Sequence, residues 1–310
     1  MFLQILILLL GLLMVIGGAN YLVDGASSIA RKTGISEFVI GLVIVGFGTS
    51  LPELVVSITG AIAGNSEIAV GNVIGSNIFN TSLILAFSAM IVPVAISRQN
   101  TLRDIPLTIL VTFLVVLMGR NGGLSRVEGI ILLSLFALYI FYCFRTDAVE
   151  EESAEGAREI SSFLSWVMIA GGLACLIIGG RLFVHSAESV ARMLGVSDKF
   201  IAITVLAMGT SLPEFITSIV ALVKKRSQLA LGNILGSNVF NLLLILGVSA
   251  VISPTSFARI DIYDYSALLL SIILVWTSVY TGKKNILDRF DAALMLALFV
   301  AYMTKLFITL

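Results

Sequence analysis

The sequence is poor in charged residues. Asp, Glu, Lys and Arg make up only 12% of its 310 residues, whereas soluble proteins carry about a quarter. The formal net charge is zero, and no basic stretch with interleaved aromatic residues occurs, so nothing favours nucleic-acid binding. A hydrophobic share of 58% and a mean hydropathy of +1.06 are typical of a membrane protein rather than a soluble domain.

Histidine and cysteine are almost absent, with one His and two Cys. Cys143 and Cys175 lie in apolar stretches and are expected to be small buried hydrophobic residues, not a disulfide or a metal pair. His185 follows an apolar run near a predicted helix end, where a boundary residue is the favoured interpretation. The sequence has no Ser-His, paired-Asp or His-Glu-x-x-His arrangement and no phosphate-binding loop. We therefore expect a protein that is not an enzyme and that needs no cofactor.

Long apolar stretches are abundant instead. A helix needs about 20 apolar residues to cross the hydrocarbon, and ten stretches qualify. They are residues 2–23, 38–64, 69–93, 105–120, 125–145, 162–184, 200–223, 229–253, 264–281 and 290–309. The first stretch has no basic N-terminal region and no small-residue cleavage site, so we expect a retained helix and not a signal peptide. The predicted fold class is an all-α, multi-pass membrane protein of the cell membrane.

One connection is long and acidic. Residues 146–161 carry six acidic side chains, at positions 147, 150, 151, 152, 155 and 159. A solvated loop is favoured over a regulatory cation site for such a run. This segment divides the chain into a first half, 1–145, and a second half, 162–310.

The two halves are a repeat with a constant offset of 161 residues. The run Gly48-Thr49-Ser50-Leu51-Pro52-Glu53 recurs letter for letter at 209–214, and the Gly-Asn and Gly-Ser-Asn pattern of 71–80 recurs at 232–241. Each half holds five predicted helices, an odd number, so the second half must enter the membrane from the opposite side. The sequence therefore predicts two inverted five-helix repeats, an arrangement found in many secondary transporters.

Lys and Arg residues predict the orientation. Twelve fall in one set of connections and seven in the opposite set. The positive-inside rule then places the first set, which includes 31–32, 224–226 and 283–284, in the cytoplasm. Both termini are predicted to lie outside.

Two acidic residues, Glu53 and Glu214, are placed deep inside hydrophobic stretches, whereas the other seventeen lie in connections or near the ends of stretches. An ionised group at the centre of a bilayer costs about 2.5 kcal/mol or more, and no Lys or Arg is obviously placed to pair with either residue. A bound cation would cancel the charge, and protonation is the alternative, since burial raises the pKa of a carboxyl group. Either interpretation makes the pair functional.

The neighbours of both glutamates supply oxygen atoms. Thr49 and Ser50 share a helix face with Glu53, and Asn72, Ser76 and Asn80 form a polar stripe on the next predicted helix. The second half repeats this set. Its members are Thr210, Ser211, Asn233, Ser237 and Asn241. Pro52 and Pro213 each remove a helix hydrogen bond and free a carbonyl one turn earlier. Hard oxygen ligands with two carboxylates suit Ca²⁺ or Na⁺ rather than zinc or copper.

At these residues the sequence resembles the cation/Ca²⁺ exchanger superfamily, and within it the prokaryotic Na⁺/Ca²⁺ exchangers. The resemblance implies ten helices in two inverted repeats, with broken helices 2 and 7, and exchange of three Na⁺ for one Ca²⁺ by alternating access. It implies that Glu53 and Glu214 are the central ligands. It assigns further ligand positions in both halves: backbone carbonyls at Thr49, Thr210, Gly46 and Ala207, side chains of Ser50, Ser211, Ser76 and Ser237 at the outer Na⁺ subsites, and Asn80 and Asn241 in the middle.

Two positions bear on the coupling ion. K⁺-dependent relatives, like some prokaryotic Na⁺/Ca²⁺ members, carry Asp where this chain has Asn241. Proton-coupled relatives carry a glutamate after the Gly-Asn pair that Gly71-Asn72 and Gly232-Asn233 lack. Na⁺ coupling is therefore favoured over Ca²⁺/H⁺ or K⁺-dependent exchange, which stay open as alternatives together with a cation channel. The expected partners are Ca²⁺, Na⁺ and the lipid bilayer, with no obligate protein partner evident.

Overall fold

A computed structural model describes residues 1–146, 160–195, 207–281 and 285–309. Over these ranges the chain is almost entirely helical, apart from short connections and four two-residue strands. The helices are α1 Phe2–Thr33, α2 Glu37–Thr49, α3 Leu51–Ile62, α4 Ser66–Ile91, α5 Asn100–Gly119, α6 Arg126–Thr146, α7 Ser162–Met193, α8 Ala207–Thr210, α9 Leu212–Val223, α10 Ser227–Ile252, α11 Ile262–Ser278 and α12 Arg289–Thr309. Within the described ranges, seven helices are long and apolar enough to cross a membrane, or eight if the bent pair α2 and α3 is one crossing.

The two longest helices, α1 and α7, pack side by side along most of their length. Small residues allow this close approach: a methyl group added at Gly18 would lie 2.7 Å from the carbonyl oxygen of Gly172. Gly11 lies against Phe183, whereas Gly25 lies against Ser165. The residue numbers rise along one helix as they fall along the other, so α1 and α7 are antiparallel.

Both helices run further than hydropathy indicates. The predicted stretches 2–23 and 162–184 continue as helix to Thr33 and Met193. The apolar pattern stops at Asp24, but that carboxylate is paired with Lys224, and the small residues after it are buried against the start of α7, where Ser165 donates a hydrogen bond to Ser28. α1 ends at Gly34, whose φ of 69° is the left-handed conformation that favours glycine.

The second predicted stretch, 38–64, is broken at Ser50. Its backbone leaves the helical conformation there (φ −83°, ψ 7°), and α2 and α3 meet at 50°. Ser211 has nearly the same dihedral angles (φ −89°, ψ 6°) and separates α8 from α9. The proline that follows each break at the second helical position has no N–H to donate. The first part of the predicted stretch 200–223, through residue 206, lies outside the described residues.

The centre of the protein is formed by α4 and α10, which carry the second motif of each repeat. An 18-residue window of α4 is 72% buried and that of α10 is 83% buried. Each helix contains one π-helical segment, Asn80–Leu85 in α4 and Phe240–Ile245 in α10. Such local widening of a helix is frequent at functional sites.

Two short antiparallel strand pairs connect the halves. β1 (Val94–Ala95), which follows α4, pairs with β4 (Ile286–Leu287), which lies between α11 and α12. β2 (Gly123–Leu124), which lies between α5 and α6, pairs with β3 (Thr255–Ser256), which follows α10. Each pair therefore fixes the end of a central helix to a connection of the other half.

Candidate cation site

Glu53 and Glu214 lie together at the centre of the protein. Each residue is 1% exposed, and each is bonded by a serine of the opposite half. Ser50 Oγ donates to Glu214 Oε1 at 3.0 Å, and Ser211 Oγ donates to Glu53 Oε1 at 3.5 Å. The two identical motifs thus form one shared site between the halves, and neither glutamate faces lipid.

The helix breaks place both carboxylates in the first turn of a new helix, α3 or α9. The first turn has free N–H groups and the positive end of the helix dipole, which stabilises a negative side chain. Among the described residues, neither Glu53 nor Glu214 has an ion pair with Lys, Arg or His. The remaining charge therefore has to be balanced by a proton or by a cation from solution.

Asparagines of the central helices hold the backbone of both glutamates. Asn72 Nδ2 donates to the Glu53 carbonyl at 3.2 Å and to Ser57 Oγ at 3.1 Å. The second half repeats the pattern, since Asn233 Nδ2 donates to the Glu214 carbonyl at 3.3 Å and to Ser218 Oγ at 2.9 Å.

Sequence reasoning placed the two asparagines on the polar stripe and missed this bracing role. It missed Ser57 and Ser218 altogether, although both stand four residues after a glutamate at the repeat offset. That repeated spacing was the signal that could have found them.

The broken helix α2 brings a carbonyl into the site. The Gly46 carbonyl accepts from Thr49 Oγ1 at 3.3 Å and from Ser237 Oγ at 3.4 Å. Thr49 Oγ1 also contacts Asn233 Oδ1 at 3.2 Å, so the Thr49 side chain belongs to the bracing network. The structure thus brings Gly46 next to Ser237, which the resemblance assigns to an outer subsite.

The other candidate residues lie on the central helices and at the break before α9. Ser76 and Ser237 are buried on α4 and α10, and Asn80 and Asn241 are buried at their π-helical segments. Thr210 is half-buried at the end of α8. Ala207 begins α8, and its side chain lies outside the described part of the chain.

Several oxygens of this cluster have no hydrogen-bond partner although they are fully buried. They are Glu53 Oε2, Glu214 Oε2, Asn80 Oδ1 and Asn241 Oδ1. A buried acceptor without a partner costs about 1–3 kcal/mol, so the free oxygens of the two glutamates fit a ligand that supplies positive charge. Asn241 Nδ2, a donor, is also without a partner. No group of three or more His, Cys, Asp and Glu side chains occurs in the described ranges. The oxygens beside the two carboxylates belong to hydroxyl, amide and carbonyl groups.

Two cavities reach this cluster. One of about 410 Å³ lies between α7 and the breaks of the two motifs, and its lining includes Pro52, His185, Glu188 and Thr210. The other, of about 510 Å³, lies between α4 and α12. Its lining includes Asn72, Ser76, Thr210 and Tyr302. Val56 and Thr210 line both cavities, and Thr210 stands four residues before Glu214. His185, expected to be a boundary residue, is exposed at the edge of the first cavity.

Two further acidic residues are buried, Asp104 and Asp291, which corrects the prediction that only the two glutamates are removed from water. Asp291, 5% exposed, accepts a hydrogen bond from Thr281 near the start of α12. Asp104, at the start of α5, is completely buried. Unlike the glutamates it has a cationic partner, because Arg103 Nε lies 2.8 Å from its Oδ1. Asn100 and Tyr139 also donate to its carboxylate. The satisfied carboxylate has a structural role, and hydropathy misplaced it because α5 begins at Asn100 and not at residue 105.

The chain matches one protein family over nearly its whole length. The family model described as "Sodium/calcium exchanger protein" matches residues 3–145 and 164–308. CaxA of Alkalimonas amylolytica is 38% identical over 96% of this chain and 97% of its own length. The sodium/calcium exchanger MaX1 of Methanosarcina acetivorans is 31% identical over 97% and 98%.

A relative named inner membrane protein YrbG, from Escherichia coli, is 34% identical over 88% of both chains. Among solved structures, one of the sodium-calcium exchanger NCX_Mj superimposes with a TM-score of 0.87 at 30% identity, covering 98% of this chain and 99% of that one. With seven candidate spans in its described part, the chain is a multi-pass membrane protein. Taken with the paired motifs and their shared buried carboxylates, these matches show that the chain belongs to the sodium/calcium exchanger protein family.

Proposed function

We propose that this protein is a secondary antiporter that exchanges Na⁺ for Ca²⁺ across the cell membrane by alternating access. The observation that carries the proposal is the shared pair Glu53 and Glu214, buried and bridged by serines of the opposite halves. Two carboxylates balance one Ca²⁺ or two Na⁺, so the two ions compete for the same charge. The names of the relatives MaX1 and NCX_Mj as sodium/calcium exchangers support this choice of ions.

In this proposal the central ligands are Glu53 and Glu214. Residues of both halves supply the other oxygen atoms that Ca²⁺ and Na⁺ require as ligands. They are Thr49, Thr210, Ser50, Ser211, Ser76, Ser237, Asn80, Asn241, Gly46 and Ala207. The unpaired oxygens of the two glutamates and the two asparagines of this set support it. With three Na⁺ for each Ca²⁺, one net charge moves per cycle, so transport responds to voltage.

Ten crossings in two inverted repeats, 1–145 and 162–310, complete the proposal. The antiparallel packing of α1 and α7, the first helices of the two halves, supports inversion. The strand pairs support inversion as well. β1 follows the third crossing of the first half and β4 follows the fourth crossing of the second half, so the two can pair on one face of the membrane only if the second half is inverted. The same argument applies to β2, after the fourth crossing, and β3, after the third. Both termini then lie outside and residues 146–161 lie in the cytoplasm.

Alternating access follows from the cost of the empty site. When loaded, the two carboxylates are neutralised and the site can pass between the two faces. When emptied, two unpaired negative charges remain at membrane depth, which opposes reorientation without an ion. Coupling of the two ion flows can thus arise with no other energy source.

The test is ⁴⁵Ca²⁺ flux into proteoliposomes with Na⁺, K⁺ and pH gradients imposed one at a time. We expect uptake to follow the Na⁺ gradient only. Glu53→Gln and Glu214→Gln should abolish uptake, since each removes half of the charge that binds Ca²⁺. Glu128→Gln is the matched control, because Glu128 bonds Ser125 at the start of α6. Uptake that follows pH or K⁺ and ignores Na⁺, or near-normal uptake by either glutamate variant, would contradict the proposal.

A further inference from the structure

The two faces of the repeat are not equally closed. On the face where α6 ends and α7 begins, here called the linker face, α1 packs along α9. The repeat-related helices on the opposite face, α7 and α3, lack such packing, and the cavity of about 410 Å³ lies between them. All four helices belong to the described part of the chain, so the asymmetry is a property of this conformation.

Ion pairs join the elements of the closed linker face. Lys224, at the end of α9, places Nζ 2.7 Å from Asp24 Oδ1 and 3.2 Å from the Asn20 carbonyl, both on α1. Two residues later, Arg226 Nη1 lies 3.1 Å from Glu37 Oε1 at the start of α2. The side chains of Arg226 and Glu37 are 23% and 13% exposed, and those of Lys224 and Asp24 are 28% and 46% exposed. The Arg226 pair is therefore the better shielded from water.

The first half has no cation at the repeat positions of Lys224 and Arg226. Subtracting the offset of 161 places Ala63 at the position of Lys224 and Asn65 at that of Arg226. His185 stands where Asp24 stands in the first half. The two motifs that hold the site are identical, whereas the residues that close its two faces differ in charge.

We propose that Lys224 and Arg226, with Asp24 and Glu37, form an ion-pair latch that holds the linker face closed and biases the transporter toward the state open on the opposite face. The proposal rests on alternating access, in which the faces open in turn. Opening the linker face separates α1 from α9 and breaks both pairs. Closing the other face brings α7 onto α3 without making an equivalent pair, so the exchange of states is uphill by the free energy of the latch.

Two repeat-related positions can report which face is open. Val56 lines the open cavity and is 37% exposed, whereas its counterpart Thr217 on α9 is 1% exposed. A cysteine at 217 should react with a water-soluble maleimide only when the linker face opens, whereas a cysteine at 56 should react more slowly when the opposite face closes. Cys143 and Cys175 are replaced by alanine in the background, so that each reporter is the single thiol.

The experiment compares labelling rates of the full-length protein carrying Lys224→Gln, Arg226→Gln or both. Partly buried charged pairs are worth more than exposed ones, so we expect labelling at Thr217→Cys to rise about fivefold for each single variant and about 25-fold for the double variant, while labelling at Val56→Cys falls. Exchanging the charges in Asp24→Lys with Lys224→Asp should restore the original rates.

Lys225→Gln is the control. This substitution removes the same charge from the same loop, and Lys225 has no ion pair among the described residues.

Unchanged labelling of both reporters in a double variant that still elutes as a single, folded species would overturn the latch. So would an equal change in Lys225→Gln, which would mean that the charge of the loop acts and not the two pairs. Labelling requires no ion flux. A protein that shows the expected shift but does not exchange Na⁺ for Ca²⁺ would therefore refute the proposed function and leave the latch in place.

Discussion

Replacing Asn233 with alanine removes the side chain that braces the Glu214 backbone. Asn233 is completely buried, donates to the Glu214 carbonyl and to Ser218 Oγ, and contacts Thr49 Oγ1 through its own Oδ1. Each buried polar group left without a partner costs about 1–3 kcal/mol. The Ser218 hydroxyl loses its donor and the Glu214 carbonyl keeps only its bond within α9, while Thr49 keeps its bond to Gly46. We therefore expect a loss of about 3 kcal/mol of stability.

The repeat supplies the matched comparison. Asn72 makes the equivalent bonds to the Glu53 carbonyl and Ser57, but it is only half-buried and lines a cavity. Water can replace its bonds, so Asn72→Ala should cost about 1 kcal/mol. The thermal midpoint of the detergent-solubilised protein should fall about three times further for Asn233→Ala than for Asn72→Ala.

Binding gives the second measurement. Residues that orient a metal ligand typically contribute about 10–100-fold to affinity, so Ca²⁺ binding by calorimetry should weaken by at least about tenfold in Asn233→Ala. Equal loss of stability in the two variants, or unchanged Ca²⁺ affinity in Asn233→Ala, would refute the bracing role.

Two further predictions concern the packing and the capping of helices. Gly18→Ala should destabilise the protein by about 1–3 kcal/mol, because the added methyl group would lie 2.7 Å from the Gly172 carbonyl oxygen. The control is Gly17→Ala, whose methyl group meets no described atom within 4 Å and should not lower the thermal midpoint. Burial raises the pKa of Asp261, which caps α11, but hydrogen bonds from Lys305 and from two backbone N–H groups outweigh it and hold that pKa below its ordinary 3.8. The stabilisation by Asp261 is thus complete above the unfolded-state pKa and is lost as the pH falls through the folded-state pKa. Asp261→Asn should therefore flatten the decline of thermal stability below about pH 4, and an unchanged decline would contradict this assignment.

The sequence alone determined the membrane class, the repeat and the central pair of glutamates. These features depend on quantities that are read along the chain. Apolar length decides whether a helix can cross a bilayer, and an acid amid apolar residues is costly wherever the helix lies. The break at Ser50 was equally predictable, because proline removes a helix hydrogen bond in any surroundings.

What the chain does with its polar residues was decided by tertiary structure. Asp104 resembles an acid near the end of an apolar stretch, yet it is buried, and only the folded chain shows that Arg103 and Tyr139 satisfy it. The hydrogen bond from Ser50 to Glu214 joins residues 164 positions apart, and the bond from Asn233 to the Glu214 carbonyl joins two separate helices. No local pattern encodes such pairs. The two halves share their motifs letter for letter, but one face is closed by Lys224 and the other holds a cavity. The sequence shows that Lys224 and Arg226 have no cationic counterpart in the first half, where Ala63 and Asn65 stand. Only the folded chain shows that α1 packs along α9 while α7 does not pack along α3, because contacts between distant helices depend on the conformation and not on a local pattern.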